Sequence, residues 1–157
     1  MELQNIDTIQ FLKCLKSLNF DKVYIQIGKG KYEPKIIIEN AYSNKISIEY
    51  FRFTEKMEDY ILKCDLIISH CGAGSILEVI TKKKQLIVVI NYSLQDNHQT
   101  ELSDVLIENN YCFSTIPVDI IKTIQRISEN PINYNVLKEF PINNKDLFPN
   151  ILNKLFF

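Results

Sequence analysis

The sequence predicts an α/β domain, a Rossmann-like parallel sheet with helices on both faces. Three observations carry that expectation. Segments with an apolar period of two alternate with segments of period 3.6 along the chain. The two central strands, Leu66 to Ser69 and Leu86 to Ile90, are continuous apolar runs, as strands covered on both faces are. Each then enters a polar segment ahead of a helix, the layout in which open parallel sheets bind ligands beyond the carboxyl ends of their strands.

The elements follow in order. Thr8 to Leu18 carries Phe11, Cys14, Leu15 and Leu18 on one helical stripe. Lys22 to Ile27 is a short β-branched strand ended by Gly28, and Lys45 to Phe53 alternates as a second strand. Thr54 is placed to cap a helix from Glu55 to about Cys64, with Glu55, Glu58 and Asp59 at its positive end. After the strand Leu66 to Ser69, a helix begins near Gly74, buries Ile76, Leu77, Val79 and Ile80, and closes on Lys82 to Lys84. Leu86 to Ile90 is a strand and Asn97 to Asn109 a helix with Leu102, Val105 and Leu106 inward. Tyr111 to Ser114 and Val118 to Glu129 complete the pattern as strand and helix. Residues 1–130 thus form the sheet domain. Residues 131–157, rich in Asn and interrupted by Pro131, Pro141 and Pro149, form a tail whose apolar end, Ile151 to Phe157, is a candidate docking helix.

Composition excludes several classes. A net charge of −1, from 18 basic and 19 acidic residues, gives no electrostatic case for nucleic acid or for adsorption to an anionic membrane. No apolar run approaches the roughly 20 residues that a spanning helix needs, and Met1 to Gln10 lacks the pattern of a secretory signal. Cys14, Cys64, Cys71 and Cys112 stand singly, without zinc spacing or the density of a disulfide scaffold, so a reduced cytosolic setting is expected. All 4 glycines fall in two loops, Gly28 with Gly30 and Gly72 with Gly74, where positive φ or close approach is expected.

The loop His70 to Ser75 carries the chemistry. A buried strand delivers the chain to Gly72-Ala73-Gly74, and a helix leaves from it, so free N–H groups, the positive helix end and the Ser75 hydroxyl converge on a site suited to phosphate. His70 can add a donor. Glu78, one turn along, is at the reach of a ribose diol. The plainer alternative is a capping box of Ser75 with Glu78. Asn91 to Glu101 packs Asn, Gln, Asp and His into one loop and helix start. That suits vicinal sugar hydroxyls or is simply a solvated Asn-rich loop, with Asp96 as cap. A nucleophilic dyad of His70 and Cys71 is disfavoured because adjacent strand residues face opposite ways.

Taken together, Asp65 to Glu78, Leu86 to Asn91, Asn97 to Leu102 and Gln26 to Gly30 resemble, in order and spacing, the motifs of the family-28-type glycosyltransferases of GT-B fold. They resemble most closely the small catalytic subunit of the transferase that adds the second sugar to dolichol-diphosphate-GlcNAc. The resemblance covers about Asn5 to Ser114 and implies the C-terminal, donor-binding half of a GT-B enzyme. It places the diphosphate of UDP-GlcNAc on His70, Gly72, Ala73, Gly74 and Ser75, the ribose on Glu78, and the donor sugar and phosphate on Asn97, His98 and Gln99, with Gly28 and Gly30 in a supporting loop. It further implies inverting transfer to GlcNAc-diphosphate-dolichol in N-glycan precursor synthesis and a membrane-anchored partner subunit that completes a heterodimer and receives the tail. The setting would be the cytosolic face of the endoplasmic reticulum. No cofactor and no metal are expected, and no general base stands out; His98 is the weak candidate. Two departures are visible. The family's first strand and Gly-Thr-Thr loop would precede Met1, which leaves a non-catalytic UDP-sugar-binding or regulatory subunit as the alternative. The usual Gly and Pro after the Glu78 helix are replaced at about Lys83 and Gln85.

Overall fold

A computed structural model of the chain describes residues 6–35, 46–90, 97–129 and 137–138. The first element starts where Thr8 Oγ1 accepts from the Phe11 N–H at 3.2 Å, satisfying one donor orphaned at a helix start. Helix α1, Ile9–Ser17, buries Phe11, Leu12, Cys14 and Leu15. Strand β1, Lys22–Gln26, pairs in parallel with β2, Ser47–Phe51. Then come α2 (Met57–Lys63), β3 (Leu66–His70), α3 (Ala73–Thr81), β4 (Gln85–Val89), α4 (Asn97–Glu108) and β5 (Phe113–Thr115). A 3-10 turn, Pro117–Asp119, opens into α5, Ile120–Glu129.

The described residues fall into two compact units. One is built on Ile61–Ile116, the other on residues 6–35, 46–60 and 117–129. In the first, β3, β4 and β5 form a parallel sheet with β4 in the middle, Ile68 opposite Ile87 and Ile87 opposite Phe113. Leu86, Ile87, Val88 and Val89 are all buried, which is why this strand reads as an unbroken apolar run. Helix α3 packs on β3 and β4, and α4 on β5. In the second unit α1 packs on α5 through Cys14, which hydrogen-bonds Gln125, and through Ile120, Ile124 and Ile127. Ile25, Ile27 and Ile46 supply the buried part of its sheet region. All described strand pairs are parallel, and helices connect β3 to β4 and β4 to β5, the Rossmann-like α/β arrangement expected.

Three helices end in the same way, and none uses glycine. After α1, the N–H groups of Asn19 and Phe20 return to the carbonyls of Lys16 and Leu15. After α3, Lys83 and Lys84 return to Ile80 and Val79; after α4, Asn110 and Tyr111 return to Ile107 and Leu106. This double bond pattern requires a left-handed residue after the cap, and Asn19, Lys83 and Asn110 take it at φ 65, 56 and 59. Asn tolerates that region; a Lys side chain does so at a cost. Lys83→Gly is therefore expected to stabilise the protein by about 0.5–1 kcal/mol in urea denaturation, the strain relieved exceeding the entropy glycine adds to the unfolded chain. A destabilised Lys83→Gly would show that strain at this position is negligible. The neighbouring departure, Gln85, carries its own cost: its Oε1 is a buried acceptor without a partner among the described residues.

Several boundaries differ from the sequence expectation. Helix α2 begins at Met57 rather than Glu55, because Thr54 Oγ1 accepts from the Lys56 N–H at 3.0 Å, closing a turn two residues on instead of capping the helix. Helix α3 starts at Ala73 and stops at Thr81, leaving Lys82 as the cap; β5 starts at Phe113. Apart from Leu137 and Lys138, whose N–H donates to the Asn110 carbonyl at 2.8 Å, the tail, with Pro131, Pro141, Pro149 and Ile151 to Phe157, lies outside the described residues, as do Met1 to Asn5.

Candidate functional site

Strand β3 ends at exposed His70, and the chain turns at once, the Gly72 N–H donating to the His70 carbonyl at 2.8 Å. Gly72 is the N-cap of α3 in extended conformation (φ −99, ψ 122) and offers no side-chain acceptor. The first helical bond runs from Ile76 N–H to Gly72 carbonyl at 3.0 Å. Ala73, Gly74 and Ser75 are therefore the first three helical residues, and their N–H groups have no intrahelical partner. Ser75 sits third in the helix, not at its cap, which disposes of the capping-box alternative with Glu78. Neither the Ser75 hydroxyl nor the Glu78 carboxylate bonds to a described residue, and both are exposed.

The glycines divide by role. A Cβ on Gly72 would come within 2.7 Å of His70 Nε2, so a larger residue here would move the exposed imidazole that lies against it. A Cβ on Gly74 would meet nothing within 4 Å. The space at its Cβ position is open. Only Gly28 of the four has a positive φ, at 63; in the second loop Gly72 meets the other half of the expectation, a close approach, and Gly74 leaves room.

Beneath the loop, Cys71 is 2% exposed and hydrogen-bonds fully buried Ser103 of α4. Burial pushes its thiol pKa up, with the Ser103 bond opposing. Cys112 is raised further, to about 12, by burial and then by the proximity of Cys71. These thiols are packing groups, and the opposite exposures of His70 and Cys71 agree with the rejection of a dyad. Ser103 was not singled out from sequence. Its small side chain on the α4 face that carries buried Leu106 was the available signal.

Helix α4 begins at Asn97 and follows β4 as α3 follows β3, so the parallel topology brings both helix starts to the carboxyl edge of one sheet. Asn97, His98 and Gln99 are the first residues of α4; their side chains, and the whole of Asn91 to Asp96, lie outside the described residues. His70 to Ser75, Glu78 and the backbone of Asn97 to Gln99 thus belong to one unit, and Gly28 and Gly30 to the other. No group of three His, Cys, Asp or Glu side chains arranged to hold a metal occurs among the described residues, and no described helix is long and apolar enough to cross a membrane.

A parallel sheet with a glycine-capped helix start is an α/β ligand-binding arrangement, and the family match gives the class: residues 4–148 match the glycosyltransferase family 28 C-terminal domain, and the chain belongs to that family. This places its fold with the C-terminal half of the GT-B architecture. Within the family it is similar to the UDP-N-acetylglucosamine transferase subunit ALG13 of Homo sapiens, 37% identical over 102 residues, which are 65% of this chain and 9% of that protein. The subunit of the same name from Saccharomyces cerevisiae is 35% identical over 130 residues, 81% of this chain and 60% of that protein. The chain therefore spans less than two thirds of the length of these relatives. An ALG13 solution structure superposes with a TM-score of 0.69 at 24% identity, covering 97% of this chain and 86% of that one.

Proposed function

We propose that this chain is the donor-binding subunit of an inverting, UDP-GlcNAc-dependent N-acetylglucosaminyltransferase. One observation carries the reading: three N–H groups at the start of α3 without a partner among the described residues, beside exposed His70, Ser75 and Glu78. A diphosphate on this helix end gains hydrogen bonds and the favourable end of the helix dipole. Glu78, one turn along, accepts from the ribose hydroxyls. Asn97, His98 and Gln99, at the same sheet edge, contact the GlcNAc and β-phosphate. During transfer the acceptor oxygen bonds to the anomeric carbon as the bond to the UDP oxygen breaks, and the hydroxyl proton passes to water. The negative charge that grows on the leaving diphosphate is stabilised by donors already in place.

The acceptor in this reading is GlcNAc-diphosphate-dolichol, and a membrane-anchored partner supplies the acceptor side on the cytosolic face of the endoplasmic reticulum. That the relatives are transferase subunits supports the need for a partner. Glu78→Ala is expected to weaken UDP-GlcNAc binding by about tenfold, the loss of hydrogen bonds to a charged group, with little change in melting temperature. Calorimetric titration reads this directly, and unchanged affinity removes Glu78 from the site. Transfer of labelled GlcNAc to the lipid acceptor, with and without the partner, tests catalysis separately. Donor binding without transfer in the presence of the partner would assign a non-catalytic subunit instead.

A further inference from the structure

The loop after β1, Gly28 to Lys35, is held from two sides by side chains distant in sequence. Arg52, just beyond β2, donates from Nη1 to the Gly30 carbonyl at 2.6 Å and to the Gly28 carbonyl at 3.4 Å, and from Nη2 to Glu33 Oε1 at 3.1 Å. Asp7 Oδ2 accepts from the Tyr32 hydroxyl and, at 2.8 Å, from the Lys35 N–H. The two carboxylates at this loop, Asp7 and Glu33, are thus engaged within it. Lys29 and Lys31 are exposed, and neither ammonium has a partner among the described residues.

Peptide planarity adds a direction. In a trans peptide the carbonyl and the following N–H point opposite ways, and no described bond is cis. Drawing the Gly28 and Gly30 carbonyls toward Arg52 turns the N–H groups of Lys29 and Lys31 away from it. Neither N–H donates to another described residue. Gly28 takes the positive φ that this turn needs, and its surroundings are open. Two outward N–H groups, each on a lysine whose charge has no partner among the described residues, sit at the carboxyl end of a parallel strand pair.

We infer that the Gly28–Lys31 turn is a second anion site, taking a phosphate or diphosphate group on the Lys29 and Lys31 N–H and ammonium groups, with Arg52 as the positioning residue. It lies on the unit that does not carry His70 to Glu78, and it stands whether or not the donor-site reading does.

The test is an amide-resolved NMR titration of the full chain with inorganic pyrophosphate. The Lys29 and Lys31 amides should shift saturably, and K29A/K31A should weaken that response about tenfold, the loss of charge-assisted bonds. R52Q and R52K should both weaken it several-fold with melting temperature nearly unchanged, because each loses the forked donor set that turns the carbonyls. An R52K that binds like wild type would reduce Arg52 to a charge and remove its positioning role. UDP, and vesicles of phosphatidic acid against phosphatidylcholine, then identify the source as nucleotide or lipid headgroup; competition by neither leaves a free phosphate ion as occupant. Shifts confined to Ala73–Ser75, or shifts at the turn that ignore K29A/K31A, overturn the proposal.

Discussion

Gly74→Val should abolish measurable UDP-GlcNAc binding while leaving the protein as stable as wild type, and Gly74→Ala should bind poorly while being more stable. The two effects separate because Gly74 is a helical residue with ordinary φ and nothing within 4 Å of where a Cβ would stand. In a helix, alanine in place of glycine is worth about 0.5–1 kcal/mol, because the unfolded chain loses less entropy on folding. Valine gives back part of that through its stiff χ1. In the proposed donor pose the same open space is the approach to the N–H groups of Ala73, Gly74 and Ser75. A methyl there keeps a phosphate oxygen from hydrogen-bond distance, and a loss of two charge-assisted bonds corresponds to about a hundredfold in affinity. Gly72 is a poorer probe, since a Cβ there displaces the His70 imidazole and mixes two causes. Thermal melts and donor titration on the same samples decide the matter. A Gly74→Val protein that binds UDP-GlcNAc normally would move the diphosphate away from α3.

That site was largely legible because its signals are local. The apolar strand, the Gly-x-Gly turn and the helix stripe of Ile76, Val79 and Ile80 lie within fifteen residues, and each constrains the backbone by itself. Strand β4 was equally plain, an unbroken Leu-Ile-Val-Val run that the structure buries completely. What escaped the sequence was set by distance or by competition between local bonds. Nothing near Gly28 or Gly30 announces that Arg52, more than twenty residues on, will hold both their carbonyls. Ser103 beneath Cys71 depends on how α4 lies against the loop. Thr54 looks like a cap, yet its hydroxyl takes the nearer Lys56 N–H and the helix starts late. Lys83 is the converse case. The missing family glycine was visible, but the left-handed conformation that lysine then adopts follows only from the carbonyls it must satisfy.

Ile87→Ala is expected to be the most damaging single substitution in the sheet that carries the site. Ile87 is 0% exposed and central on the middle strand, opposite Ile68 on one side and Phe113 on the other. Truncating a buried isoleucine costs about 2–5 kcal/mol, the transfer term plus the cavity it leaves. Against a typical total of about 5–15 kcal/mol, that brings a domain of this size near its unfolding threshold. The surface comparison is Leu62→Ala, at 51% exposure, which should change stability by about 0.5 kcal/mol or less. Urea denaturation of both variants measures the contrast, and an Ile87→Ala midpoint close to that of Leu62→Ala would contradict a sheet packed on both faces of β4. The functional consequence differs in kind from that of Gly74. Strands β3 and β4 place the starts of α3 and α4, so weakening β4 lowers the fraction of molecules that possess the proposed donor site. Those still folded keep their N–H groups, His70 and Glu78 in place, and their affinity for UDP-GlcNAc should be that of the wild type.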